Sequence, residues 1–130
     1  MSADQNARIA REVFECFANR DPMRLRGLFA EEATWTVPGA SSVAGTYRGR
    51  TEIFRFLASL RRRTDDTYRS RLIDALGSDD RAAALYRATG TRSGVELDID
   101  QVLLFTVRDG VVVQVLALPS DPLAFERFWS

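Results

Sequence analysis

Gln101, Arg87 and Asp100 are the residues of this chain whose chemistry could act on a small molecule. A carboxamide or a guanidinium can polarise a carbonyl, and a carboxylate can move one proton. Each sits in a run of strand-forming residues: Arg87 in "RAAALYRATGTR", Asp100 and Gln101 in "VELDIDQVLLFTV". In a strand, successive side chains point to opposite faces, so parity decides which of the three look into a pocket.

The missing residue types narrow the chemistry further. Histidine is absent and all 18 basic residues are arginines. Without lysine there is no Schiff-base nucleophile. Without histidine there is no imidazole base, no Ser-His-Asp triad and no His-ligated metal. Cys16 is the single cysteine, so no intrachain disulfide forms, and it falls on the stripe Ile9, Val13, Cys16, Phe17, a buried helix face. The acidic pairs in "TDD" and "SDD" belong to separate turns. No metal and no cofactor is therefore expected, with Asp98 and Asp100 the least unfavourable place for a calcium or magnesium ion.

The chain has 130 residues, enough for one domain (residues 1–130) around one core. Its 18 acidic residues cancel its 18 basic ones. A neutral surface gives no reason to expect nucleic acid or an anionic membrane as a partner. The start, "MSADQNARIARE", carries no signal-peptide apolar region, and the most apolar run, "VVVQVLALP", is too short to span a bilayer. A cytoplasmic address follows as the expectation.

The elements that must position the polar residues are legible in outline. Helical spacing runs from about Ala3 to Asn19. Asp21 and Pro22 read as the cap and first residue of a second helix. A short strand covers 33 to 37 in "ATWTVPG", and "PGASSVAGTYRG" reads as a loop. A third helix begins near Thr51, with Ile53, Phe56, Leu57 and Leu60 on one stripe. "RRR" ends it, where cations meet the negative end of the helix dipole. The second half changes to strands, with Asp109-Gly110 as a two-residue hairpin turn. The tail "DPLAFERFW" reads as a short amphipathic helix.

This order predicts an α+β fold, three N-terminal helices packed on one face of a curved, mainly antiparallel sheet. Such a cone encloses a pocket. In the long strand Ile99, Gln101, Leu103, Phe105 and Val107 form the larger apolar set and are expected to face inward. Asp98, Asp100, Val102, Leu104 and Thr106 then face outward. In the next strand Val113, Val115, Ala117 and Pro119 are assigned inward, and Val112, Gln114, Leu116 and Leu118 outward. A sheet whose outer face is also apolar predicts a homodimer through that face.

"LFAEEATWTVPG", "AGTYRGRTEIFRFL", "LFTVRDGVVVQVLALPSD" and "FERFW" together resemble the SnoaL-like branch of the nuclear transport factor 2-like superfamily. That group includes polyketide cyclases, ketosteroid isomerases and limonene epoxide hydrolase. The resemblance implies a cone-shaped fold and a small-molecule pocket, and it covers nearly the whole chain. Val37 stands where the isomerases hold a catalytic aspartate. Val13 stands near their oxyanion tyrosine. Leu103 stands near their protonated aspartate, and a different gap brings Asp100 there. Of the epoxide hydrolase's Asp-Arg-Asp set, only the arginine is matched, by Arg87; its aspartates fall on Thr89 and Ala117. Thr36 replaces the histidine that SnoaL-like relatives often carry beside the first-strand tryptophan. The frame is present and each of these acid-base sets is incomplete.

The expected pocket is therefore apolar. Its wall comes from Phe14 and Phe17 of the first helix, Trp35 and Val37 of the first strand and Phe54 of the third helix. Leu103, Phe105, Val115 and Ala117 of the long strands complete it. Gln101, Arg87 and Asp100 are the candidate catalytic residues. Two functions compete with a cyclase or isomerase working by shape with little acid-base chemistry: a non-catalytic binder of an apolar small molecule, and a dimerisation module with a filled core.

Overall fold

The computed structural model describes residues 2–130. Helix α1 spans Ala3–Asn19, α2 Pro22–Gly27, α3 Arg50–Arg63 and α4 Pro122–Phe128. The strands are β1 Phe29–Val37, β2 Gly45–Arg48, β3 Arg69–Gly77, β4 Arg81–Arg92, β5 Val95–Arg108 and β6 Val111–Pro119. They form one curved, unclosed sheet in the order β2-β1-β6-β5-β4-β3, antiparallel except for the β1–β6 pair. The helices cover its concave face, which is the α+β cone the sequence predicts.

Helix α1 starts with a capping box. The Ser2 hydroxyl accepts from the Gln5 amide at 3.1 Å, and the Gln5 side chain accepts from the Ser2 amide at 2.9 Å. Its buried face includes Ile9, Ala10, Val13, Phe14 and Cys16. Burial there pushes the Cys16 thiol up. In α3 only Ile53 and Phe56 of the expected stripe are fully buried; Leu57 and Leu60 pack at its margin.

Two expectations are corrected. The stretch read as a loop contains the edge strand β2, which pairs Tyr47 with Trp35 and Gly45 with Val37. Its turn residues flank only four paired positions, too few to show alternation. Strand β6 also begins in the opposite parity. Thr106 pairs with Gln114 but Val107 pairs with Val112, so Val113 is an extra residue at a β-bulge. Val112 is fully buried in the place expected for Val113, which is only half-buried; beyond the bulge Val115 and Ala117 face inward as predicted. The bulge follows a tight turn in which Asp109 and Gly110 have φ of 51° and 80°.

The end of β3 approaches α1 closely. A Cβ on Gly77 would collide with the Ala3 carbonyl oxygen and fall 2.9 Å from the Ala7 amide nitrogen. The buried Asn6 side chain donates to the Ser78 carbonyl beside it at 2.8 Å. Gly77→Ala should therefore destabilise the protein by about 1–3 kcal/mol through overpacking. Urea unfolding measures it; an unchanged midpoint would mean that α1 does not sit this close to β3.

Candidate functional site

The β4–β5 hairpin sorts the polar candidates between two faces. Its register places Tyr86 opposite Gln101 and Arg87 opposite Asp100. Neighbours along a strand point apart, so Gln101 and Tyr86 share the inner face while Arg87 and Asp100 share the outer one. Gln101 is 3% exposed and Tyr86 4%. The Gln101 Nε2 donates to the Tyr86 hydroxyl at 2.6 Å. Tyr68, at the entrance to β3, is half-buried beside them, and Ser70, Tyr86 and Gln101 oppose the rise that burial gives its phenol.

Burial raises both phenols, and Tyr86 lies well above its ordinary value of 10.0. The adjacent Tyr68 raises Tyr86 further, whereas hydrogen bonding to Gln101 opposes the rise. Both are therefore neutral hydroxyls at neutral pH. They can donate and accept hydrogen bonds but do not serve as bases. The cluster is enclosed by aromatic rings. Phe14 lies 4.9 Å from Tyr86 and 5.1 Å from Phe17, and Trp129 meets Tyr68 edge-on at 5.7 Å.

Helix α4 closes this end of the cone. Asp121 caps it and Pro122 occupies its first turn, as their types require. Phe125, Phe128 and Trp129 are buried. The Arg92 guanidinium donates to the Phe128 and Ser130 carbonyls at 3.0 and 2.7 Å. The Ala40 amide donates to Glu126 at 2.9 Å, and Ser42 donates to the Trp129 carbonyl through both its amide and its hydroxyl. Gly90 leaves room for the closure, since a Cβ there would sit 3.3 Å from Tyr68 and 3.4 Å from Phe128.

On the strands, Gln101 Oε1 and Trp35 Nε1 are buried without a protein partner; on the helices, Asn6 Oδ1, Arg50 Nε and Glu126 Oε2 are too. Trp35 stacks on Phe29 at 6.4 Å and tilts against Phe56 at 6.0 Å. Val37 is buried beside it on the same parity, Phe54 is half-buried with its edge to Phe29 at 6.2 Å, and Leu103, Phe105, Val115 and Ala117 are buried along β5 and β6. The aromatic and aliphatic residues expected to line the pocket thus share the concave side. The surface clefts lie elsewhere. One runs between the first turns of α1 and the end of β3, and the other crosses the outer face at Thr34, Thr106 and Gln114.

Arg87 and Asp100 do not join Gln101. Arg87 Nε meets Asp98 at 2.7 Å, and its Nη1 meets Asp100 at 3.0 Å, in a solvated cluster on the convex face. The Arg87 guanidinium holds the Asp98 carboxyl below its ordinary range, and the two aspartates raise Arg87 in return. Among the described residues no group of three His, Cys, Asp or Glu side chains is placed to hold a metal ion. Sequence reasoning missed Tyr68, Tyr86 and Trp129. For Tyr86 a signal existed: a hairpin turning at Ser93-Gly94 puts it opposite Gln101.

The SnoaL-like domain pattern matches residues 10–115. An uncharacterized protein of Mycobacterium tuberculosis is 31% identical over 131 residues, covering 100% of each chain. Bal32a, from a soil-derived mobile gene cassette, is 33% identical, with a TM-score of 0.94 over 98% of each chain. A protein with a cystatin-like fold from Xanthomonas campestris is 25% identical, with a TM-score of 0.90 over 100% of this chain and 99% of that one. The chain belongs to the SnoaL-like domain family of the nuclear transport factor 2-like superfamily.

The Arg87–Asp98 contact sets a pH dependence. The folded Asp98 pKa lies below the ordinary 3.8. Its contribution to stability is thus complete above that value and is lost as pH falls through the folded pKa. Asp98→Asn should lower the urea midpoint slightly at neutral pH, since exposed pairs contribute little. The gap between variant and wild type should close on acidification below 3.8. A gap that widens in acid would contradict the assignment.

Proposed function

We propose that this protein binds an apolar small molecule within its cone, in the cytoplasm, and acts on it as a cofactor-independent cyclase or isomerase that works mainly by shape. The observation carrying this reading is the pair of buried, unpartnered polar atoms on the strands, Gln101 Oε1 and Trp35 Nε1, among aromatic and aliphatic side chains. Buried polar atoms are nearly always bonded, so each is an address for a ligand group. Enclosure by rings and aliphatic side chains suits a reactant held in one folded shape, which lowers a barrier through proximity rather than proton transfer. Gln101, through its unpartnered Oε1, is the candidate to accept a hydrogen bond from it and hold it in place. Arg87 and Asp100, on the other face, would need a route to the substrate around the sheet edge.

A second reading, a dimerisation module with a filled core, is favoured by the burial of Phe125, Phe128 and Trp129 beneath the cone's end. Native mass spectrometry of the purified protein separates the two. The first reading expects a small-molecule adduct, or a rise in melting temperature with planar apolar compounds. Neither effect across a broad panel would leave the filled core standing. No ketosteroid isomerisation is expected from the wild type, because Val37 occupies the base position and is buried without a carboxylate beside it. Robust isomerisation would overturn that.

The dimer belongs to the same reading. On the outer face Leu85, Val102 and Leu118 lie side by side across three strands, and Ala83, Leu104 and Leu116 form the adjacent row. Leu118 is 40% exposed and Leu85 36%. Covering the exposed remainder of each would contribute about 0.6–1.2 kcal/mol before the cost of association. Leu104→Arg should give a monomer in solution scattering; a persistent dimer would place the interface elsewhere.

A further inference from the structure

The Tyr86–Gln101 hydrogen bond has a direction. Gln101 Nε2 donates to the Tyr86 hydroxyl at 2.6 Å. That bond uses the tyrosine oxygen as acceptor, and the neighbouring Tyr68 raises the phenol further. Tyr86 therefore holds the carboxamide by its nitrogen end. The oxygen end, Oε1, is buried and has no partner. It is an acceptor with no donor, inside a side chain that is 3% exposed.

An unpaired buried carbonyl oxygen is unfavourable, and a ligand supplying a donor removes the penalty. The surroundings specify the rest of the ligand. Phe14 borders Tyr86 at 4.9 Å, Phe17 borders Phe14, and Trp129 borders Tyr68. These rings offer flat apolar surfaces and no charged group. Trp35 supplies a second unpaired group, but an N–H donor, on β1.

We infer that Gln101 Oε1 is the recognition point for a hydroxyl or enol proton on a planar apolar ligand, with Tyr86 as the residue that fixes the carboxamide. This rests on the small-molecule reading above and deepens it. The ligand must donate to Gln101. An ether or a ketone of the same shape cannot. The ligand reaches Gln101 at the end of the cone that α4 covers, so Trp129 and Phe128 are the side chains that must give way.

The probes are 2-naphthol, 2-methoxynaphthalene and naphthalene, titrated against the full chain by naphthalene-ring fluorescence and by calorimetry. The second probe keeps the oxygen and the shape but loses the proton. The inference expects 2-naphthol to bind about tenfold more tightly than 2-methoxynaphthalene, the worth of one hydrogen bond of about 1.4 kcal/mol. Gln101→Leu should erase that preference while leaving naphthalene binding unchanged. Tyr86→Phe, which frees the carboxamide to rotate, should reduce the preference without abolishing binding. Melting temperatures of the variants establish that they are folded, and Gln101→Glu, which keeps an acceptor oxygen, should retain the preference if Gln101→Leu does not fold.

Equal binding of the three probes to wild type would overturn the role of Gln101 and leave the apolar pocket intact. Equal binding of 2-naphthol and 2-methoxynaphthalene, both tighter than naphthalene and both weakened by Gln101→Leu, would mean the carboxamide presents its nitrogen to an accepting oxygen, which also overturns it. A 2-naphthol preference that survives Gln101→Leu assigns the hydroxyl to another group. No binding of any probe would overturn both this inference and the small-molecule reading.

Discussion

The register of the β4–β5 hairpin is the constraint on which the chemistry of this protein depends. Ser93 and Gly94 turn the chain with φ of 51° and 79°, and from that turn the pairing runs without a break to Arg81 and Thr106. A slip of one residue would exchange the faces. Gln101 and Tyr86 would turn to solvent, and Arg87 with its two aspartates would enter the core as charges far from water. The desolvation cost of that exchange, and the loss of the Ile99–Val107 apolar row from the interior, hold the register in place.

Sorting by face explains why the interior can carry polar groups without charge. The charged candidates neutralise one another on the convex side, where water shares the cost. The fully buried polar side chains, Asn6, Thr64 and Gln101, are all neutral. Such an interior favours recognition by shape and a few directed hydrogen bonds over proton transfer.

Much of this was legible in the sequence, for physical reasons that differ by element. The inward row of β5 is readable because alternation persists over many residues with only Gln101 polar. Asp109-Gly110 is readable because both residues tolerate positive φ. The start of β6 is not, because Val111, Val112 and Val113 have equal apolar character and nothing in them reports the bulge. The first half of β1 is hidden by Glu31 and Glu32, both exposed, which break the alternation between Phe29 and Ala33. Tyr86 could have been found by counting back from Ser93-Gly94. Tyr68 and Trp129 could not, since Tyr68 comes from the entrance of β3 and Trp129 packs on it from the end of α4, distant segments that only tertiary packing brings together.

The central claim is that Tyr86 and Gln101 form one buried, directed pair. A double-mutant cycle on the free energy of unfolding, with Tyr86→Phe, Gln101→Leu and both together, tests it most directly. Each single change orphans or removes one partner and should cost about 1–3 kcal/mol. The double variant replaces both by apolar groups, so it should cost less than the sum of the two, with a coupling of at least about 0.5 kcal/mol. Additive effects would contradict the claim and with it the assignment of the inner face as the site.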